Sequence, residues 1–577
     1  MINFFDFEVF RFDWLVVIAN PFERSQEVFI NDPEGLTKYY EKHKKDIWVG
    51  YNSRHYDQYI LKAILLGMNP ADVNKWIIED DKPGWAYSKE FNKIRFVNYD
   101  VALLGKSLKE LEGFQGHNIH ESGVDFRIQR PLTDEEIRET VGYCANDVEE
   151  CMNIWLECKS DFEAQLELTK MFNLPLSAMG RTKAQITADI LGCEKKERFD
   201  EWDLFILPCT QVKKYTHVKD WFFDIKNQNY QKNKLETMIC GVPHVFAWGG
   251  VHGAKEKYHH KCQPWELIIH VDVASYYPSL MIFHDLLTRN AKKPERYKEI
   301  YETRLKLKAQ KKKKEQAPLK IVLNATYGIC NDKQSNAYDP RNAHLITMNG
   351  QLMLLDLLER LETIPSFELI QSNTDGLIIK INKKDFDLCD DICYEWELRT
   401  KMNLEFDYIK EIWQKDVNNY VFIDESGGVE KKGAYVKQLC SIDNDLPIIN
   451  KALVDYMLEG TSPEETIYSC DELIMFQKIS KLTKNYSYVL HNGEIYRNKC
   501  FRIFASKSPN DGAVYKEKAN GERDKMANTS KRTFIENGDI VGATVPDKLD
   551  KRWYVNLARE RLSQYGLKEF ETQMTLF

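Results

Sequence analysis

The run Leu267-Ile-Ile-His-Val-Asp272 is apolar and ends on a carboxylate. An apolar run of this length and composition makes a buried strand. An acid at its end is costly to bury unless it meets a cation. The next residues, Val273-Ala-Ser-Tyr-Tyr-Pro-Ser279, turn from strand to helix. Further on, Phe367-Glu-Leu-Ile-Gln-Ser-Asn373-Thr-Asp375-Gly-Leu-Ile-Ile-Lys-Ile reads as strand, polar turn, strand, which is a hairpin with a second acid at its tip. Each acid taken alone also fits a plain role, a helix cap for Asp272 and a turn residue for Asp375.

Between them lies Lys320-Ile-Val-Leu-Asn324-Ala-Thr-Tyr327-Gly328. On a helix, Lys320, Asn324, Tyr327 and Gly328 share one face. That face offers a cation for phosphates, an amide, a ring and a glycine that permits close approach. A basic stretch, Lys292–Lys314, precedes it and carries Arg304 and Lys308. Taken for its charge alone, that stretch equally fits a solvated helical face.

A second acidic set opens the chain. In Phe5-Asp6-Phe7-Glu8, strand alternation puts both carboxylates on one face. Flanking apolar residues make a like-charge pair there an invitation to a metal. Asn52-Ser-Arg-His-Tyr56-Asp57 follows, and Tyr143-Cys-Ala-Asn-Asp147 puts a phenol and an acid one helical turn apart. Alone, each of these acids also fits an ordinary surface position.

The first three segments resemble the palm motifs of family B DNA polymerases, DxxSLYPS, Kx3NSxYG and YxDTD, in the family's order. The second set resembles that family's exonuclease motifs, DxE, Nx2–3(F/Y)D and Yx3D, with every position filled. The resemblance covers most of residues 1–440. It implies a template-directed DNA-dependent DNA polymerase with a 3′→5′ proofreading exonuclease, using two Mg2+ per site, with Mn2+ as a substitute. Asp272 and Asp375 would bridge the polymerase metals, with the Val273 carbonyl as a further ligand. Lys320 would grip the triphosphate, with Arg304 and Lys308 in support; Asn324 and Tyr327 would line the nucleotide pocket, and the Tyr277 ring would select deoxyribose. Asp6, Glu8, Asp57 and Asp147 would hold the exonuclease metals. Tyr143 would orient the attacking water, and Asn52 and Tyr56 would hold the frayed primer end. Lys432 and Tyr435 in Lys431-Lys-Gly-Ala-Tyr435 resemble the KxY element that holds the primer terminus.

Four positions depart from the family pattern: Asn373 for the first aspartate of DTD, Gln371 for its tyrosine, Tyr276 for the leucine of SLYPS and Ala325 for the serine of NSxYG. Asn373 removes a negative charge beside the metals, with activity expected to survive and metal preference in question. The alternative is an exonuclease whose silenced palm only binds DNA. The palm motifs lie about 48 and about 50 residues apart, which leaves little room for the insertions of protein-primed polymerases. Extension from a nucleic-acid primer is therefore expected. Gln573-Met-Thr-Leu576-Phe577 resembles the QxxLF peptide that docks on the bacterial β sliding clamp, its Gln573, Leu576 and Phe577 suited to a preformed groove.

The implied architecture is α/β and α+β multidomain. An RNase H-like exonuclease domain (1–165) and a helical connector (166–245) come first. A right hand follows: palm (246–290), fingers (291–335), palm (336–440), and thumb with C-terminal region (441–572), then the clamp tail (573–577). Residues 294–335 are expected as two helices broken near Pro318, and the Gly/Asn/Lys-rich part after about 500 as mainly loop. The net charge of −8 lends no support to DNA binding by itself, so the basic residues must cluster. The thirteen cysteines form no CxxC pair, and no run of about 18 apolar residues occurs. A monomer in a reducing cytoplasm, without membrane contact and with primer–template DNA and dNTPs as partners, is the expectation.

Overall fold

The structure is a computed structural model describing residues 1–119, 121–229 and 232–570. The chain forms two compact units and passes between them several times. The first takes Met1–Thr182, Leu439–Ile448 and Tyr468–Tyr554; the second takes Lys183–Gln438, Ile449–Ile467 and the chain from Val555 on.

The first unit is built on a five-stranded sheet in the order β3-β2-β1-β4-β5. The strands are β1 (Ile2–Val9), β2 (Trp14–Asn20), β3 (Ser25–Ile30), β4 (Ile47–Gly50) and β5 (Val97–Asp100). β1, β2 and β3 are antiparallel neighbours, and β1, β4 and β5 run parallel. Both faces of β1 are covered, which is why apolar residues flank its acids on both faces. Phe5 and Phe7 pack into one core with Trp48, Ile60 and Ile64, while Phe4 packs into another with Val148, Ile154 and Trp155. Asp6 and Glu8 share the face of Phe4. That face meets the helix Asp134–Glu157, which a Thr133/Glu136 capping box starts and whose Thr140, Cys144, Asp147, Val148, Cys151 and Ile154 are buried.

The second unit carries a ten-stranded sheet. Its strands are β6 (Lys234–Ile239), β7 (Val242–Ala247), β8 (Gly250–Ala254), β9 (Tyr258–Lys261), β10 (Glu266–Val273), β11 (Glu368–Asn373), β12 (Gly376–Asn382), β13 (Leu404–Asp416), β14 (Asn419–Asp424) and β15 (Val429–Lys432). The order is β15-β14-β13-β10-β12-β11-β8-β7-β6, with β9 also on β13. β10 is central, flanked antiparallel by β12 and β13. Between β10 and β11 the chain makes helices Tyr276–Phe283, Pro294–Ala309, Lys313–Asn331 and Pro340–Leu361.

One local expectation changes. The break in 294–335 falls before Lys313, where Lys311 adopts a left-handed backbone, and Pro318 lies inside the second helix. A proline in an early turn leaves only the carbonyl four residues back without its partner. That residue, Lys314, is exposed, so water can serve its carbonyl. The Gly/Asn/Lys-rich part after about 500 is mainly loop, as expected, and its few strands are short and belong to two small sheets that begin at Lys478. β16 (Lys478–Lys481), β19 (Cys500–Ala505) and β22 (Thr533–Ile535) form one sheet. β17 (Tyr488–His491), β18 (Glu494–Tyr496), β20 (Tyr515–Glu517) and β21 (Arg523–Lys525) form another. These strands belong to the first unit, so residues 441–572 do not make one body.

Arg502 on β19 is fully buried. It donates to the carbonyls of Gly113 (3.2 Å), His117 (2.7 Å), Gly538 (2.6 Å) and Glu536 (3.3 Å) and to the Gln477 amide oxygen (3.0 Å). It thereby ties the C-terminal end of the helix Leu108–Gln115 to these late strands, as a cation at the negative end of the helix dipole.

Candidate active sites: two carboxylate clusters

In the first unit, four predicted acids converge. Asp6 and Glu8 come from β1. Asp57, the first residue of helix Asp57–Leu65, is buried and accepts the backbone N–H of Phe7 at 3.1 Å. Asp147 comes from the helix Asp134–Glu157. Burial, then the neighbouring acids, raise the carboxyls of Asp6 and Glu8 well above their ordinary range. Burial pushes Asp57 up to about 7 against the opposing Phe7 hydrogen bond. Mutual repulsion of this kind is what a divalent cation relieves. Ligand atoms of Asp6, Glu8 and Cys144 all lie within 4.8 Å of one another, so the residues present fit a bound metal.

Lys109, Glu112 and Cys144 carried no motif signal. Lys109, from the helix Leu108–Gln115, reaches Asp147 at 2.8 Å and Glu112 at 3.1 Å. Burial works against its charge, but the two acids outweigh that and raise its pKa. Its ammonium also stands 4.7 Å from the centre of the Tyr143 ring. The Cys144 thiol donates to the Asp6 carbonyl at 3.2 Å. Tyr56 precedes Asp57, and its hydroxyl donates to Asn74 at 2.9 Å. Asn52 is exposed in the β4–helix connection, in a left-handed conformation.

A carboxyl whose folded pKa is raised contributes its full stability below the unfolded value near 4, and loses it as pH rises through about 7. In EDTA, Asp57→Asn, which keeps an acceptor for Phe7, should match wild type near pH 4. Near pH 8 it should be more stable by up to about 4 kcal/mol. Denaturant titrations at the two pH values test this, and an equal gap at both would contradict it.

In the second unit, Asp272 sits near the end of β10, paired with Gly376 on one side and Glu405 on the other. Asp375 and Thr374 form the two-residue turn of the β11–β12 hairpin. The Val273 N–H donates to the Asp375 carbonyl at 2.8 Å, which locks that turn onto the β10 end. A Cβ on Gly376 would stand 3.1 Å from Asp272 Oδ1, and one on Gly250 would stand 3.0 Å from Thr374 Oγ1. Both glycines thus permit close approach. Under the hairpin, buried His244 meets the Ser372 hydroxyl at 2.6 Å.

Asp272 and Asp375 line one cavity of about 300 Å³, together with Asn373, Glu405, Asp407, Glu430 and Lys432. Burial first, then Asp375, Glu405, Asp407 and Glu430, raise the Asp272 carboxyl to about 7. Five carboxylates against one lysine again fit a bound cation. Glu405 and Asp407 repeat, on β13, the acid-x-acid strand pattern of Asp6 and Glu8. That pattern marks them as a strand-borne pair, while their place beside Asp272 depends on the pairing of β13 with β10.

The helix Lys313–Asn331 buries Leu319, Val322, Leu323, Thr326 and Ile329 and exposes Lys320, Asn324 and Gly328. The Tyr327 ring lies 4.9 Å from that of Tyr277. Arg304 donates to Ser275 Oγ at 3.1 Å, and Lys308 pairs with Glu405 at 2.9 Å. Tyr435 does not line the cavity that holds Lys432. Its ring lies between Lys415 (4.9 Å) and Arg561 (4.0 Å). Gln573, Leu576 and Phe577 lie outside the described residues. Among the described residues, no helix is long and apolar enough to cross a membrane.

No protein-family model matches the chain, and no curated protein matches it. Among solved structures, the family B DNA polymerase from the hyperthermophilic archaeon Pyrobaculum calidifontis matches at 14% identity and a TM-score of 0.41, covering 98% of this chain and 78% of that one. A TM-score that low leaves fold and function to be argued from this chain's own residues.

Proposed function

We propose that the chain is a template-directed DNA polymerase of family B type with its own 3′→5′ exonuclease. The first unit would be the RNase H-like proofreader, and the second the palm with fingers. One observation carries the reading: Asp272 and Asp375 come from separate elements and are locked at one end of the same cavity. A fold has no need to hold two acids there except to share cations. When bound, Mg2+ there would neutralise triphosphate charge and favour ionisation of the primer 3′-hydroxyl.

The protein's own share is positioning. The exposed Lys320–Asn324 face, with Tyr327 against Tyr277, receives the nucleotide, and the Tyr277 ring lies beneath its sugar. Arg304 and Lys308 add phosphate contacts from the basic helix. Lys308 must leave Glu405 to do so. In the first unit, Asp6, Glu8, Asp57 and Asp147 hold the hydrolytic cations, Tyr143 orients water, and Asn52 and Tyr56 hold the frayed end. Lys109 keeps Asp147 oriented.

The test is single-nucleotide incorporation on four primer–templates that differ only in the templating base, with Mg2+. The reading expects each to take its complementary dNTP. Degradation without incorporation, with Mg2+ or Mn2+, would favour the nuclease reading that Asn373 motivates. A chain lacking 573–577 should keep its unassisted synthesis and lose stimulation by a bacterial β clamp. Undiminished stimulation would remove the clamp from the account.

A further inference from the structure

The residue at the hairpin tip that departs from the family pattern has a defined orientation. Asn373 Oδ1 accepts the backbone N–H of Thr374 at 3.0 Å. A backbone N–H can only donate, so this contact fixes which side of the amide is oxygen. The same oxygen meets His252 Nδ1, on the neighbouring strand β8, at 2.9 Å, and the Thr374 hydroxyl at 3.4 Å. With Oδ1 so engaged, the amide nitrogen is the group left for the cavity that Asn373 lines with Asp272 and Asp375. An N–H2 cannot bind a cation, because it has donors and no lone pair to offer. It can donate to an anionic oxygen.

We propose that Asn373 is a phosphate-contacting donor, with His252 as the residue that holds its amide in place, and is not a depleted metal ligand. The inference rests on the polymerase reading. The ligand is a phosphate oxygen of the bound nucleic acid or nucleotide, either the last phosphodiester of the primer or the incoming triphosphate. The electrostatics favour this assignment. The cavity already presents five carboxylates and a single lysine. A sixth carboxylate would repel a phosphate entering it, whereas an amide attracts one.

Asn373→Asp is an unusually clean probe. Aspartate keeps the acceptor that His252 and Thr374 use, so the hairpin keeps its bonds, and only the amide nitrogen becomes an oxygen. Three quantities should be measured: primer–template affinity by anisotropy in Ca2+, the dNTP KM, and the Mg2+ concentration for half-maximal extension. The expected result is either a loss of about tenfold or more in primer affinity or a rise of about tenfold or more in dNTP KM, with the Mg2+ midpoint unchanged within twofold. Which of the two changes identifies the phosphate. Asn373→Ala should lose less in the same quantity, since it removes the donor without adding charge. His252→Ala should lose less again.

A several-fold lower Mg2+ midpoint in Asn373→Asp, with affinity and KM unchanged, would make this a ligand position and overturn the inference. So would no change in any of the three. If wild type never extends, the polymerase reading fails separately, and equilibrium binding in Ca2+ still decides this one: affinities for primer–template and for dNTP that are both unaffected by Asn373→Asp would then overturn it.

Discussion

Asp375→Ala is expected to lower primer extension more than about a thousandfold, a loss of ~4 kcal/mol or more in transition-state stabilisation. The size follows from what the residue shares. Asp375 and Asp272 are the two cavity acids that the β10 end and the hairpin tip hold in fixed register. A cation between them cannot be kept by one alone at the same position. The Glu405, Asp407 and Glu430 carboxylates soften the loss of charge but not the loss of geometry, since they come from β13 and β15. The hairpin itself should survive, because its lock is the Asp375 carbonyl and not its side chain. Exonuclease activity should therefore remain, and hydrolysis of the primer should be the dominant reaction of this variant.

The double variant Asp6→Ala/Glu8→Ala is expected to show the opposite, with hydrolysis lowered at least about a thousandfold and extension retained. Both acids stand on one face of β1 between two cores. Their removal takes away two buried, mutually repelling acids, so the variant should be no less stable than wild type without metal. Retained hydrolysis would move the site elsewhere. Loss of extension along with hydrolysis would mean that β1 supports more than its own cluster.

Much of this was legible because it is local. Asp6 and Glu8 are two apart on a strand, Lys320 and Asn324 four apart on a helix, and the hairpin around Asn373–Asp375 closes on itself. Period and turn chemistry suffice for each. What could not be read is cross-strand and cross-helix. Lys109 reaches Asp147 from a separate helix, and nothing in Leu108-Lys-Glu-Leu-Glu112 distinguishes it from a solvated amphipathic turn. Glu405 enters the second cluster only through the pairing of β13 with β10, a non-local register. Tyr435 shares a short motif with Lys432, yet the turn after β15 sends its ring to Lys415 and Arg561. The strands after Lys478 are short and polar, with few apolar alternations to mark them, and their membership in the first unit depends on contacts such as those of buried Arg502.

The most direct measurement is one labelled primer–template incubated with Mg2+ and dNTPs, with wild type, Asp375→Ala and Asp6→Ala/Glu8→Ala side by side. The account predicts that wild type extends, Asp375→Ala only shortens the primer, and the double variant only extends it. A wild type that shortens but never extends, in Mg2+ or Mn2+, would contradict the polymerase reading and leave the second unit as a DNA-holding body.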